Sequence, residues 1–241
     1  MRLVLFALLA LSLSVFATLD QEYVQNVSRN GSSTIQRTTD VAIFANQLTA
    51  QALQRMADLC AHDAELACSV DVDAKRLTMS EGFTSGGYHT YITDYGFPFI
   101  THTFTVSKVP TDKFSDSMGK LAQAAGVEGA GADGSASSID LNDDRNNKAN
   151  ADLLRSIRAN ITYTIIMPIG VSEAKAGKVN GIVSGNAARF DLVEVIGESE
   201  PIVITSRELN LGYLVAVAGI LVLVALAVSF FGSRRPARRK K

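Results

Sequence analysis

The chain has 241 residues, with 23 Lys and Arg against 24 Asp and Glu, two cysteines and no tryptophan. Its formal net charge of -1 conceals an asymmetry: setting aside Arg2 and the six cations of the C-terminal tail leaves 16 basic residues against 24 acids, about -8. Such an acidic body argues against a nucleic-acid partner and has no electrostatic reason to lie flat on anionic lipid headgroups.

Residues 1–17 read MRLVLFALLALSLSVFA, with one cation, an apolar run, and Val15 and Ala17 placed as the small residues before a cleavage site. That pattern predicts a secretory signal peptide. The alternative is an uncleaved N-terminal anchor, for which the run is short. No cysteine follows the run, so a lipid-modified N-terminal cysteine is excluded. Residues 18–210 are then an exported domain, in which Gln21 to Ser33 is polar and Asn30-Gly31 reads as a tight turn. Asn26, Asn30 and Asn160 head N-x-S/T sequons, which have meaning only in a host that glycosylates asparagine.

Ser33 to Phe44 alternates as a strand, with Ile35, Thr39, Val41 and Ile43 on one face. A helix follows from about Asn46, its cap, to His62, with Leu48, Ala52, Met56, Leu59 and Cys60 at helical spacing. Most of Ser69 to Val109 reads as strand, with breaks at Gly86-Gly87 and at Pro98, which belongs in a turn or at an edge. A second helix runs from Thr111, its cap, to Ala125. Phe114, Met118 and Leu121 lie on one side of it, and Gly126 stops it. Residues 126–150 are small and polar and read as a flexible loop, closed by a short helix over 151–158. Strands are expected at Ile161 to Met167, Val179 to Val183, Ala187 to Val195 and Pro201 to Thr205, leaving Ser206 to Asn210 as a short stem.

Leu211 to Phe231 is 21 residues without a charge. At about 1.5 Å per residue it spans roughly the 30 Å hydrocarbon core of a bilayer. Residues 232–241 follow as a basic tail, with Arg234, Arg235, Arg238, Arg239, Lys240 and Lys241 and no acid, which orients the tail to the cytoplasm and the domain outside. Within the span, Gly212 with Ala216 and Ala225 with Ser229 are small-x-x-x-small pairs, a weak sign of self-association. Cys60 and Cys68 lie in the exported region, where thiols pair; a disulfide is expected, with two buried free cysteines as the alternative.

The motifs that suggest chemistry do not carry it. Gly129 to Gly134 matches G-x-G-x-x-G but lacks the preceding strand and following helix that direct amides at phosphate. Asp140 to Asp144 resembles the start of a calcium loop, yet its sixth position is Arg145 and its twelfth is Ala151. His62, His89 and His102 stand at no metal-ligand spacing; His89 and His102 suit a surface or cross-strand role. There is no G-x-S-x-G, and a Cys-His nucleophile needs a cysteine that the disulfide would remove.

The unit from 160 to 205 carries Met167-Pro168, Gly170, Glu173-Ala174, Gly185-Asn186 and the strand from Ala187 to Leu192; Gly31-Ser32-Ser33 enters an earlier strand. With the span and basic tail that follow, these features resemble the LppM-like domain of exported or membrane-anchored prokaryotic envelope proteins. Two departures are the missing lipoprotein cysteine and Ile169 between proline and glycine. The resemblance implies an α+β envelope domain with a lipid-binding role and no catalytic residues to carry over.

The expected architecture is α+β: an antiparallel sheet with two helices on one face, plus a C-terminal transmembrane helix. A cleft between helices and sheet would be lined by Leu48, Met56, Phe114 and Met118, unless these are ordinary core. Three functions follow: binding a lipid or other envelope ligand, assembling envelope proteins through protein contacts, or an extracytoplasmic enzyme. The first is preferred and the last is not. Membrane is the expected partner, and no cofactor, metal or catalytic residue is expected.

Overall fold

The structure is a computed structural model that describes residues 20–41, 49–62, 67–125 and 138–232. The signal segment, Leu48, Asn46, the Gly129 to Gly134 motif and the tail cations Arg234, Arg235, Arg238, Arg239, Lys240 and Lys241 lie outside the described residues. The side chain of Met118 does also.

Two sheets share one hydrophobic core. The larger is built from β1 (Asp20–Val27), β2 (Ser33–Asp40), β3 (Cys68–Asp71), β4 (Arg76–Phe83), β9 (Asn160–Ile166), β12 (Ile182–Ser184) and β13 (Ala187–Asp191), in the order β12-β13-β9-β1-β2-β4-β3. The smaller contains β5 (His89–Tyr95), β6 (Phe99–Val106), β10 (Val171–Ala176), β11 (Val179–Asn180) and β14 (Ile202–Leu209), in the order β11-β10-β14-β6-β5. A two-stranded ribbon pairs β7 (Lys108–Val109) with β8 (Ile139–Asp140). The expected antiparallel sheet is therefore corrected to mixed sheets, because β1 and β9 run parallel.

One face of the larger sheet explains its register. Tyr23, Gln25 and Val27 are buried, while Glu22 before them and Asn26 among them are exposed. Pairing sets Tyr163 beside Tyr23, Ile35 and Ile165 beside Gln25, and Leu77 beside Thr39. Burying an aliphatic or aromatic side chain contributes roughly 1.5–3 kcal/mol, against about 1 kcal/mol net for a hydrogen bond. A one-residue slip would turn this whole set to water, so the face and not the ladder fixes the pairing.

Among the described residues, four helices belong to the domain. α1 (Ala50–His62) packs on β3 and on α2 (Thr111–Ala124). A disulfide joins Cys60 of α1 to Cys68 of β3. The α1 start is held by Thr49, whose hydroxyl accepts from the Ala52 amide at 3.1 Å. At α2 the cap position is Pro110, and the expected cap Thr111 is already helical. α3 (Asp144–Ser156) corrects the loop expected to 150. Its cap is Asp143, which accepts from the amides of Arg145 and Asn146; only Asn147 and Ala151 are buried along it. α4 (Leu192–Glu198) replaces the continuation of a strand to Val195. Asp191 accepts from the Val193 and Glu194 amides, converting the chain from strand to helix at that residue.

α5 (Leu211–Gly232) is one apolar helix of 22 residues, and its Leu211–Phe230 stretch is long and apolar enough to cross a membrane. None of that stretch is buried against the domain. The expected stem from Ser206 to Asn210 is mostly strand: β14 continues to Leu209, and Asn210 alone separates it from α5.

Candidate functional site

The inward face of the smaller sheet changes character along its strands. At one end His89, Val106, Ile202 and Ala176 lie in register, and the next row is Tyr91, Phe104, Ile204 and Ala174. The third row turns polar: Thr93, His102 and Ser206. The fourth, Tyr95, Ile100 and Glu208, is the last before the apolar helix.

His102 sits at the centre of the polar row and is buried. Its Nδ1 lies 2.9 Å from the Tyr91 hydroxyl and 3.1 Å from the Thr93 hydroxyl. An Nδ1 that accepts from the Tyr91 O–H leaves the ring proton on Nε2. Nε2 faces Glu208 Oε1 at 3.4 Å, an electrostatic contact too loosely aligned to be a hydrogen bond. Glu208 in turn meets Arg29 at 3.5 Å. Burial raises the Tyr91 phenol above its usual range, with Arg29 opposing and Glu208 adding to the rise. Ser206 is fully buried, and its hydroxyl has no partner among the described residues.

At the other end of β5, His89 is buried against the Phe104 ring, with centroids 5.0 Å apart. Its Nε2–H donates to the Gly31 carbonyl at 2.9 Å, and burial pushes its pKa below the usual imidazole value. Gly31 has φ +82°, and a Cβ there would stand 3.0 Å from Tyr91 Cβ, so the β1–β2 turn tolerates only glycine so close to β5. Of the surface or cross-strand role expected for the two histidines, the structure shows the second: both are buried, His89 opposes Val106 across β5 and β6, and His102 opposes Thr93.

The end next to the apolar helix is aromatic. The β5–β6 turn, Gly96 to Pro98, places Tyr95, Phe97 and Phe99 in solvent at 76, 60 and 43% exposure. Leu209, in register with Phe99, is exposed too. The Phe97 ring lies 4.9 Å from that of Tyr213 in the first turn of α5. Asn210 ties the three segments together. Its backbone N–H donates to Pro98 O at 3.0 Å, its side-chain Nδ2 to Gly96 O at 3.3 Å, and its Oδ1 accepts from the Tyr213 amide at 3.2 Å.

The other sequence candidates fall elsewhere. Met56 and Phe114 are buried in the common core, Phe114 edge-on to Tyr23 with centroids 6.0 Å apart. Asn26, Asn30 and Asn160 are exposed, although the Asn30 side-chain Oδ1 already accepts from the amide and hydroxyl of Ser32. The calcium-like carboxylates are engaged locally. Asp140 accepts from the Asn142 amide and pairs with Lys108 at 3.3 Å, while Asp143 caps α3. Those bonds, from Asn142 to Asp140 and from Asn146 to Asp143, hold both carboxyls below the usual carboxylate range. Among the described residues no group of three His, Cys, Asp or Glu can hold a metal. No protein-family model, curated protein or solved structure matches the chain.

Sequence reasoning missed the His102 row and the aromatic end. The signal for the second was available: three aromatics in the five residues from Tyr95 to Phe99, with no charge and a proline among them. The first depends on pairing β5, β6 and β14, and no local pattern announces it.

Proposed function

We propose that the chain is a type I single-pass membrane protein whose acidic domain is an extracytoplasmic binding module for a lipid or other envelope ligand. The observation that carries this reading is the join at Asn210. A strand of the folded domain becomes the apolar helix across one residue, so the module stands directly on the bilayer. The orientation rests on the six cations that follow the helix. The resemblance of 160–205 to the LppM-like domain supports a lipid-class ligand. Met56 and Phe114 act as core, so the ligand surface lies away from them. Binding is preferred to catalysis because Ser206, the hydroxyl beside His102, is closed to solvent.

The test is native mass spectrometry of the full chain released from its own membranes in mild detergent. A retained stoichiometric mass in the lipid range supports the reading and identifies the ligand. A bare monomer rules out stable lipid capture. The orientation is checked by labelling Lys178→Cys with a membrane-impermeant maleimide in intact cells; labelling only after lysis would reverse it. A second reading, assembly of envelope proteins, is favoured by β12, a sheet edge whose Ile182 and Val183 are exposed. A defined oligomer without small molecule would favour that reading.

A further inference from the structure

We propose that the tip of the β5–β6 hairpin is a second membrane contact, dipping into the headgroup–acyl boundary of the leaflet that α5 enters. The inference rests on the anchoring part of the reading above and is independent of any bound ligand.

Position is the first argument. Tyr213 is the third residue of α5, where an apolar span begins and where aromatic side chains settle at the membrane–water interface. The Phe97 ring lies tilted against it with centroids 4.9 Å apart, so the tip is at the same depth as the start of the span. The patch is continuous with the lipid-facing surface of the helix.

Chemistry is the second. Phe104, Phe114, Tyr23 and Tyr163 are all buried in the domain, whereas Tyr95, Phe97 and Phe99 are left in the open around one turn. A cluster of exposed aromatics with no charge within it marks an interaction surface. The tyrosine gives it one ring with a polar edge, suited to a boundary that is apolar below and wet above. The nearest charges lie on the domain side of the tip: exposed Asp94 precedes Tyr95, and Glu208 is turned toward His102 and Arg29. The domain's acidic balance opposes electrostatic adsorption, and an uncharged tip does not need it.

The backbone is the third. Chain that enters a lipid boundary must have its polar groups satisfied internally. The tip carbonyls of Gly96 and Pro98 accept from Asn210 rather than from water.

Because the chain contains no tryptophan, Phe97→Trp creates a single tryptophan in the full-length protein, which can be excited apart from the tyrosines. It is reconstituted in phosphatidylcholine vesicles carrying nitroxide lipids, labelled either near the headgroup or deep in the acyl chain. Leu221→Trp, within α5, reports the span. Lys178→Trp, exposed in the β10–β11 turn at the far end of the sheet, reports water. Tyr95→Trp repeats the measurement if Phe97→Trp does not fold. The expected result is blue-shifted emission at Phe97→Trp and severalfold stronger quenching by the shallow nitroxide than at Lys178→Trp, with Leu221→Trp quenched by the deep one. Quenching of Phe97→Trp by aqueous iodide as strong as that of Lys178→Trp, with Leu221→Trp still lipid-quenched, overturns the inference and leaves the anchor standing. Shielding from lipid and iodide alike also overturns it, because a second copy or another protein then covers the tip. An unquenched Leu221→Trp sinks the anchor and the inference together.

Discussion

The two sheets handle polar groups in opposite ways. In the larger sheet Tyr163, Gln25 and Ser33 form a hydrogen-bonded chain in the core: the Tyr163 hydroxyl donates to Gln25 Oε1, and Gln25 Nε2 donates to Ser33 Oγ at 2.8 Å. Burial raises the Tyr163 phenol well above its usual range, with the neighbouring Tyr23 adding to it, so this hydroxyl is a permanent donor. In the smaller sheet the corresponding row is open. Ser206 has no partner among the described residues, His102 leans on a partly exposed Glu208, and beyond them the sheet ends in bare aromatics. The difference teaches that one sheet is finished within the domain, while the other runs out against the start of the apolar helix.

Substitutions can break or sharpen that contrast. The largest effect is expected where the smaller sheet joins the shared core. Phe104→Ala removes a fully buried ring and should cost about 3–5 kcal/mol of stability, measured by denaturant unfolding of the detergent-solubilised chain. A much smaller loss would mean that the smaller sheet is held by its anchor instead of its core. Replacing both cysteines, Cys60→Ser with Cys68→Ser, opens a short loop at the outer edge of the larger sheet. It should cost roughly 2–3 kcal/mol by the same measurement, with α5 still membrane-integrated.

Tyr163→Phe strands Gln25 Oε1 in the core and should cost about 1–3 kcal/mol. The pH dependence isolates the smaller sheet. His89 has a folded pKa below its unfolded value of 6.5, so the unfolded chain binds the extra proton first. Stability should therefore fall as pH drops below about 6.5, levelling only at the lower folded pKa. Melting curves taken between pH 7.5 and 5 should show this slope in the native chain and lose much of it in His89→Gln. An unchanged slope in the variant would remove His89 from the account. The smallest effect is Ser206→Ala, which deletes a buried hydroxyl without a partner and should fall within about 0.5 kcal/mol of zero or stabilise slightly. A loss as large as that of Tyr163→Phe would show that the row is closed after all.

Much of the α+β class was legible, because Ile161 to Ile166 and Thr111 to Ala124 announce themselves by apolar spacing and β-branched content. The apolar helix was legible for the same reason, without interruption. β1 was not: its outward Glu22 and Asn26 and its buried Gln25 make a strand look like polar coil. α3 hid in a similar way, since a helix that buries only Asn147 and Ala151 presents no apolar stripe. At Asp191 the following residues Leu-Val-Glu-Val-Ile suit a strand on composition, and only the cap decides for a helix. The parallel pairing of β1 with β9 joins residues about 140 positions apart, and nothing local encodes it.

Asn210 sets a mechanical condition on the whole molecule. Its bonds reach back into the β5–β6 turn and forward into the first turn of α5, so there is no free swivel between domain and helix. A transmembrane helix longer than the local hydrocarbon thickness ordinarily leans over to fit. At 22 residues, α5 is about 33 Å long, slightly more than a bilayer of average thickness requires. In the anchored arrangement proposed above, a lean of α5 would swing the sheet fastened to its top, lifting one side of the domain away from the membrane surface and pressing the other toward it. The attitude of the domain would then be geared to the thickness of the bilayer.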